Sequence, residues 1–138
     1  MGKEFSKEAL ALYAAGERNE FERVLSEIVE IPSVSVEPER KGEVRRAAEY
    51  AASLLKSWGA GVEVFETGGH PIVHGRFDRG PGYPTVTVYN HLDVQPAEGD
   101  DWRTQPFRFT REGDRYMGRG TTDDKGPAIT ALFGARYA

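Results

Sequence analysis

The order of helical and strand-like segments predicts an α/β fold, specifically an α/β sandwich with a largely covered sheet. Three segments with helical spacing come first, strand-like segments follow, and one more helix-like run comes last. Helices on both sides of a sheet in sequence favour a sheet that is buried beneath them. With 138 residues, 38% of them hydrophobic, the chain matches one ordinary domain or part of one with a real core.

Apolar residues at helical spacing predict the first two helices. The first stripe runs from Phe5 to Tyr13, and Gly16 interrupts it. The second helix is predicted to begin at Asn19, because Glu22 follows three residues later as a capping box requires.

Pro32 ends this second helix, since a proline pushes the preceding residue out of the helical region. A third helix is predicted over residues 43–58, with one apolar face and with Gly59 placed for a left-handed cap. Trp58 lies on the apolar stripe and is interpreted as a core anchor.

Strand-like segments occupy the middle of the chain. Residues 61–66 and 71–77 alternate between two faces, with glycines between them. The β-branched and aromatic run 85–89 has the composition of an interior strand, and 107–117 predicts a hairpin that turns at 112–114. A last helix follows residue 127.

Composition limits the partners. There are 22 acidic and 18 basic residues, a net charge of -4, so nothing electrostatic favours nucleic acid. Without cysteine, a transition metal must be bound by His, Asp or Glu. No apolar run approaches the roughly 20 residues that span a bilayer, and no signal-peptide pattern is present, so we expect no membrane partner and a cytoplasmic location.

The glycine-punctuated segment 118–127 does not fit the known phosphate-binding loops. Asp123 occupies the place where a dinucleotide fingerprint has its third glycine, and a carboxylate there would repel a pyrophosphate. Lys125 follows Asp124, whereas the phosphate-loop lysine follows a glycine. We therefore expect no phosphate ligand at this turn.

A metal site is the better hypothesis for three residues, His91, Asp93 and Asp123. His91 ends the predicted strand 85–89, and Asp93, two residues on, can support its imidazole from behind. Asp123 has two oxygens and can join two cations. The alternatives remain open at this stage: a hydrogen-bonded pair that finishes a strand, and an acidic helix start at Asp123 and Asp124.

A set of motifs in a fixed order resembles metallopeptidase family twenty, which includes aminoacylases, carnosinase-type dipeptidases, glutamate carboxypeptidase and succinyl-diaminopimelate desuccinylase. The resemblance extends weakly to Ile31-Pro32-Ser33-Val34-Ser35 and covers nearly the whole chain, with Asn90 in place of an expected glycine. The motifs are Tyr89-x-His91-Leu92-Asp93-Val94-Gln95-Pro96, then Trp102, then Pro106-Phe107, then Gly118-Arg119-Gly120-Thr121-Thr122-Asp123-Asp124-Lys125-Gly126-Pro127.

The resemblance implies a zinc-dependent peptidase or amidohydrolase built as an α/β/α sandwich with a mostly parallel mixed sheet. It implies that His91 binds one zinc, that Asp123 bridges two zincs, and that Asp93 is the catalytic residue that supports His91. Co²⁺ or Mn²⁺ are the alternatives to Zn²⁺. The resemblance also implies a cis peptide bond between Asp123 and Asp124, and hydrolysis of a peptide or amide bond by water that zinc activates.

Two zincs that share one bridge need about five protein ligands, of which His91 and Asp123 are two. Residues 1–138 are therefore interpreted as the truncated amino-terminal portion of one catalytic domain, without the lid domain, the other ligands or the general base. Such a chain is expected to be inactive alone. The alternative is a non-catalytic binding or scaffold module with the same fold.

The resemblance also carries expectations about partners. Expected substrates are small peptides or N-acyl amino acids, and Gln95-Pro96 with Gly126-Pro127 favours the dipeptidases. A homodimer is expected for the complete protein. The 138-residue chain is expected to self-associate, because a domain cut before its last elements exposes apolar sheet surface.

Overall fold

A computed structural model describes residues 6–99 and 101–138 of the chain, and it confirms the four predicted helices. The first stripe's Phe5 lies outside the described residues. The helices are α1 (Lys7–Gly16), α2 (Arg18–Val29), α3 (Lys41–Ser57) and α4 (Lys125–Tyr137), with a short 3-10 turn at Pro38–Arg40 before α3.

The capping box predicted for α2 is wrong. Asn19 lies inside the helix, whose capping residue is Glu17, and no side chain hydrogen-bonds the first turn. Glu22 is engaged elsewhere, because its carboxylate accepts hydrogen bonds from Arg18 Nε at 2.9 Å and from Tyr116 Oη at 2.8 Å. A contact within the helix to Arg18 and a long-range contact to Tyr116 have therefore replaced the capping interaction that the pattern indicated.

The end of α3 agrees with the prediction. Gly59 follows the helix with φ of +88°, the left-handed conformation that a glycine adopts without strain. The indole of Trp58 meets Phe133 of α4 edge to face, with 5.0 Å between ring centroids. Trp58 is therefore a packing anchor, as predicted.

Two antiparallel pairs of short strands confirm the first two predicted strands and the later hairpin. In the first pair Val64 lies opposite Val73, and in the second Arg111 lies opposite Tyr116. The strands are β1 (Gly61–Phe65), β2 (Ile72–Arg76), β3 (Thr110–Glu112) and β4 (Arg115–Met117).

The interior strand predicted at 85–89 is wrong for this chain, although the α/β class is confirmed. Val86 and Tyr89 are 81% and 87% exposed, and this segment has no strand geometry. Strand propensity reflects packing against neighbouring strands, which the described residues do not supply here. Parallel pairing among those residues is limited to a bridge between Val34 and Val94.

The core lies where α2 and α4 pack together, with residues of α3 completing it. None of the helices in the described part of the chain is long and apolar enough to cross a membrane. The core cluster consists of Val24, Leu25, Ile28, Val29, Ile31, Ala47, Leu54, Ile129 and Phe133.

Candidate metal centre

The segment between β4 and α4 is a tight turn that brings its acidic residues to the start of the helix. Gly120 has φ of +96°, and a Cβ there would lie 2.9 Å from Lys125 Cδ and 3.0 Å from Val94 Cγ1. The amide of Gly126 donates to the carbonyl oxygen of Gly120 at 3.0 Å. Glycine is therefore required at position 120 by both backbone conformation and space.

Lys125, directly after the acidic pair, is fully buried and anchors the turn. Its Nζ donates a hydrogen bond to the carbonyl oxygen of Ile31 at 2.6 Å. Burial disfavours the ammonium and lowers the pKa of Lys125 to about 7, although the negative charge of Asp93 acts in the opposite direction.

The segment that carries His91 is held by the residues that follow α2. The amide of Val94 donates to the carbonyl oxygen of Ser33 at 3.0 Å, and Ser33 Oγ donates to the carbonyl oxygen of Leu92 at 2.7 Å. Ser33 is completely buried and Val94 is nearly so. The backbone on both sides of Asp93 is thereby fixed.

The imidazole of His91 lies between two aspartates. Its Nδ1 is 3.1 Å from the carbonyl oxygen of Asp93 and 3.2 Å from Asp93 Oδ1. Because both of these neighbours are acceptors, Nδ1 carries the hydrogen in the neutral imidazole, which leaves the lone pair on Nε2. That Nε2 lies 3.3 Å from Asp123 Oδ1.

The surroundings of His91 and Asp93 shift the pKa values of both side chains toward their ionised forms. Burial alone would lower the pKa of His91, but the carbonyl and carboxylate oxygens of Asp93 outweigh it and raise that pKa. Burial likewise opposes ionisation of Asp93, yet hydrogen bonding from Ser35 and the nearby His91 lower its pKa. Asp93 is therefore an anion that supports the imidazole.

Asp124 has a role that the sequence did not predict. Its Oδ2 accepts a hydrogen bond from the backbone amide of His91 at 3.1 Å. The peptide bond between Asp123 and Asp124 is cis, as the resemblance implies. Asp124 therefore faces the backbone of His91, and Asp123 faces its imidazole. In the sequence, the only sign of the Asp124 contact is that two acidic residues are adjacent.

The positions of His91 and Asp123 fit a shared metal ion. A tetrahedral zinc with bonds of about 2.0–2.2 Å separates two ligand atoms by about 3.4 Å, close to the 3.3 Å observed between Nε2 and Oδ1. The side chains are 42% and 82% exposed, so an ion can reach both.

The two donors do not form a complete site. Among residues 6–99 and 101–138, no three His, Asp or Glu side chains are grouped closely enough to hold a metal ion. The other two histidines have other partners: His70 Nε2 is 3.3 Å from the carbonyl oxygen of Ser35, and His74 Nδ1 is 4.0 Å from Glu63.

Comparisons with known proteins identify similar chains. The sequence pattern of Peptidase family M20/M25/M40 matches residues 87–137, which contain all three predicted site residues. The Cys-Gly metallodipeptidase of Schizosaccharomyces pombe is 40% identical over 81% of this chain and 26% of its own length. The Beta-Ala-His dipeptidase of Mus musculus is 37% identical over 88% of this chain and 28% of its own.

A solved structure gives the same result for the fold. The crystal structure of human carnosine dipeptidase 1 superimposes with a TM-score of 0.84 at 35% identity, covering 91% of this chain and 29% of that one. The chain thus spans about a quarter of the length of the curated relatives that it matches.

Proposed function

We propose that the chain belongs to peptidase family M20/M25/M40 and forms part of the catalytic domain of a zinc-dependent dipeptidase. The dipeptidase names of its relatives support small peptides as substrates. The observation that carries the proposal is the convergence of His91 Nε2 and Asp123 Oδ1 to 3.3 Å on an accessible surface. This chain matches about a quarter of the length of its relatives, so the remaining zinc ligands of the proposed site would come from further polypeptide.

Each site residue has a distinct proposed role. His91 would hold one zinc through Nε2, and the two oxygens of Asp123 would bridge that ion and a second one. Asp93 would keep the imidazole in the Nδ1-protonated form. Bound zinc supplies a Lewis acid for the peptide carbonyl and lowers the pKa of water, and Co²⁺ or Mn²⁺ could take its place.

The site assignment predicts a localised response to zinc. Titrating zinc into the ¹⁵N-labelled 138-residue chain should shift the Nε2 resonance of His91, because Nε2 carries the free lone pair. His91→Ala and Asp123→Asn should each weaken zinc binding by more than about tenfold, since losing even an outer partner of a ligand costs 10- to 100-fold.

His74→Ala is the matched control, because this histidine is exposed and lies outside the site. It should leave zinc affinity unchanged. A zinc response confined to His70 or His74, or none at His91, would contradict the assignment.

The exposed apolar segment 85–89 predicts self-association of the 138-residue chain. Val86, Val88 and Tyr89 are at least half exposed, and exposed apolar residues in a strand-like segment promote pairing between chains. Sedimentation velocity should show a concentration-dependent increase in mass, and Val86→Lys combined with Val88→Lys should reduce it.

Leu12→Lys serves as the control, because Leu12 is 75% exposed but lies on α1. A chain that stays monomeric at every concentration, or that responds equally to Leu12→Lys, would show that the segment is not the contact.

A further inference from the structure

The five residues 31–35, here called the strap, contact both segments that carry the proposed zinc ligands. At one end the carbonyl oxygen of Ile31 accepts from Lys125, two residues after Asp123. At the other end the strap pairs with Val94 through the parallel bridge. The two ligand segments are far apart in sequence, and this single stretch of backbone connects them.

Ser35 makes the one side-chain contact from the strap to an ionised group of the site. Its Oγ donates a hydrogen bond to Asp93 Oδ2 at 2.5 Å. The other carboxylate oxygen, Oδ1, is the one 3.2 Å from His91 Nδ1. Each oxygen of Asp93 therefore has its own partner, and the plane of the carboxylate is determined by both.

The backbone of Ser35 is held in turn. Nε2 of His70 lies 3.3 Å from the carbonyl oxygen of Ser35. This contact brings the loop between β1 and β2 against the backbone of the strap at Ser35.

We propose that Ser35 is a positioning residue for the metal site: its hydroxyl fixes the Asp93 carboxylate so that His91 keeps Nδ1 protonated and Nε2 free for the ion. The proposal rests on the proposed function, because it assumes that Nε2 binds zinc. A carboxylate held at one oxygen only can rotate about its side-chain bonds, whereas one held at both presents a constant acceptor to the imidazole.

The backbone carbonyl of Asp93 also accepts from His91 Nδ1, at 3.1 Å. Loss of the Ser35 hydroxyl therefore loosens one of the two acceptors that select the tautomer, Asp93 Oδ1, and leaves the backbone carbonyl in place. We expect a partial shift toward the Nε2-protonated form rather than a complete one.

The test measures the tautomer of His91 and zinc affinity in the same samples. In the ¹⁵N-labelled 138-residue chain, imidazole nitrogen shifts at a fixed alkaline pH should show mainly Nδ1-protonated His91. Ser35→Ala should raise the Nε2-protonated fraction and weaken zinc binding by up to about tenfold, less than the 10- to 100-fold expected when the direct partner Asp93 is lost. Ser35→Thr, which keeps the hydroxyl, should restore both values, and Ser53→Ala on the exposed face of α3 should change neither.

An unchanged tautomer in Ser35→Ala, with zinc affinity still lowered by His91→Ala, would overturn the positioning role and leave the proposed function intact. Zinc affinity that does not respond to His91→Ala would overturn the proposed function itself. If Ser35→Ala does not fold, the unsubstituted chain decides: the Ser35 hydroxyl proton should be protected from exchange and should shift when zinc is added, and a rapidly exchanging hydroxyl would overturn the proposal.

Discussion

His91→Ala is expected to remove one zinc and nearly all dipeptidase activity from a polypeptide that contains this sequence and is as long as its curated relatives. The fall in kcat/KM should reach at least about 10³-fold, the scale of losing electrostatic stabilisation of a transition state. Asp93→Ala should cost less, about 10- to 100-fold, because Asp93 acts through His91. Hydrolysis of dipeptides, with zinc content measured in each sample, distinguishes the two effects.

Two comparisons make this result decisive. His74→Ala should retain full activity, and the unsubstituted 138-residue chain should show none, because two zincs need about three more ligands than His91 and Asp123 provide. Equal zinc content and equal rates in the His91 and Asp93 variants and the unsubstituted protein would contradict the site. Steady turnover of dipeptides by the 138-residue chain, free of contaminating peptidase, would contradict the proposal that the remaining zinc ligands lie outside it.

Gly126→Ala is expected to destabilise the chain by about 3 kcal/mol or more, at or above the upper end for overpacked sites. A methyl group at position 126 would collide with the carbonyl oxygen of Thr121. Backbone atoms cannot move aside as a flexible side chain can, so the first turn of α4 would have to shift. Urea denaturation measures the change in the free energy of unfolding.

Gly134→Ala is the matched control in the same helix. A Cβ at Gly134 would have no atom within 4 Å, and alanine favours a helix by up to about 1 kcal/mol over glycine. This variant should therefore be as stable as the unsubstituted chain or more stable. Equal free energies of unfolding for Gly126→Ala and Gly134→Ala would show that the backbone at Thr121 can move to accept the methyl group.

Local patterns predicted the helices well because each depends on residues close in sequence. Gly59 marks the end of α3 by its left-handed backbone conformation, which a short segment determines. The segment 85–89 shows the opposite case. Its β-branched residues fit a strand only beside other strands, and among the described residues nothing pairs with it.

The site was predicted in part for the same reason. His91 and Asp93 are two residues apart, and the sequence alone suggested their contact, which the structure has at 3.2 Å. Ser35 lies 58 residues before Asp93, and Asp124 lies 33 residues after His91, so their hydrogen bonds depend on the folded chain. A single sequence has no periodicity or spacing that reports such contacts.

The burial of Lys125 has a consequence for chemical labelling. Reagents that acylate amines need physical access to the nitrogen, and this side chain is 0% exposed with its Nζ bonded to Ile31. Exposed lysines such as Lys56 would react while the chain stays folded. Acylation of Lys125 would instead occur only when α4 separates from residues 31–35, so its rate would report how often the segment that carries Asp123 detaches from the strap.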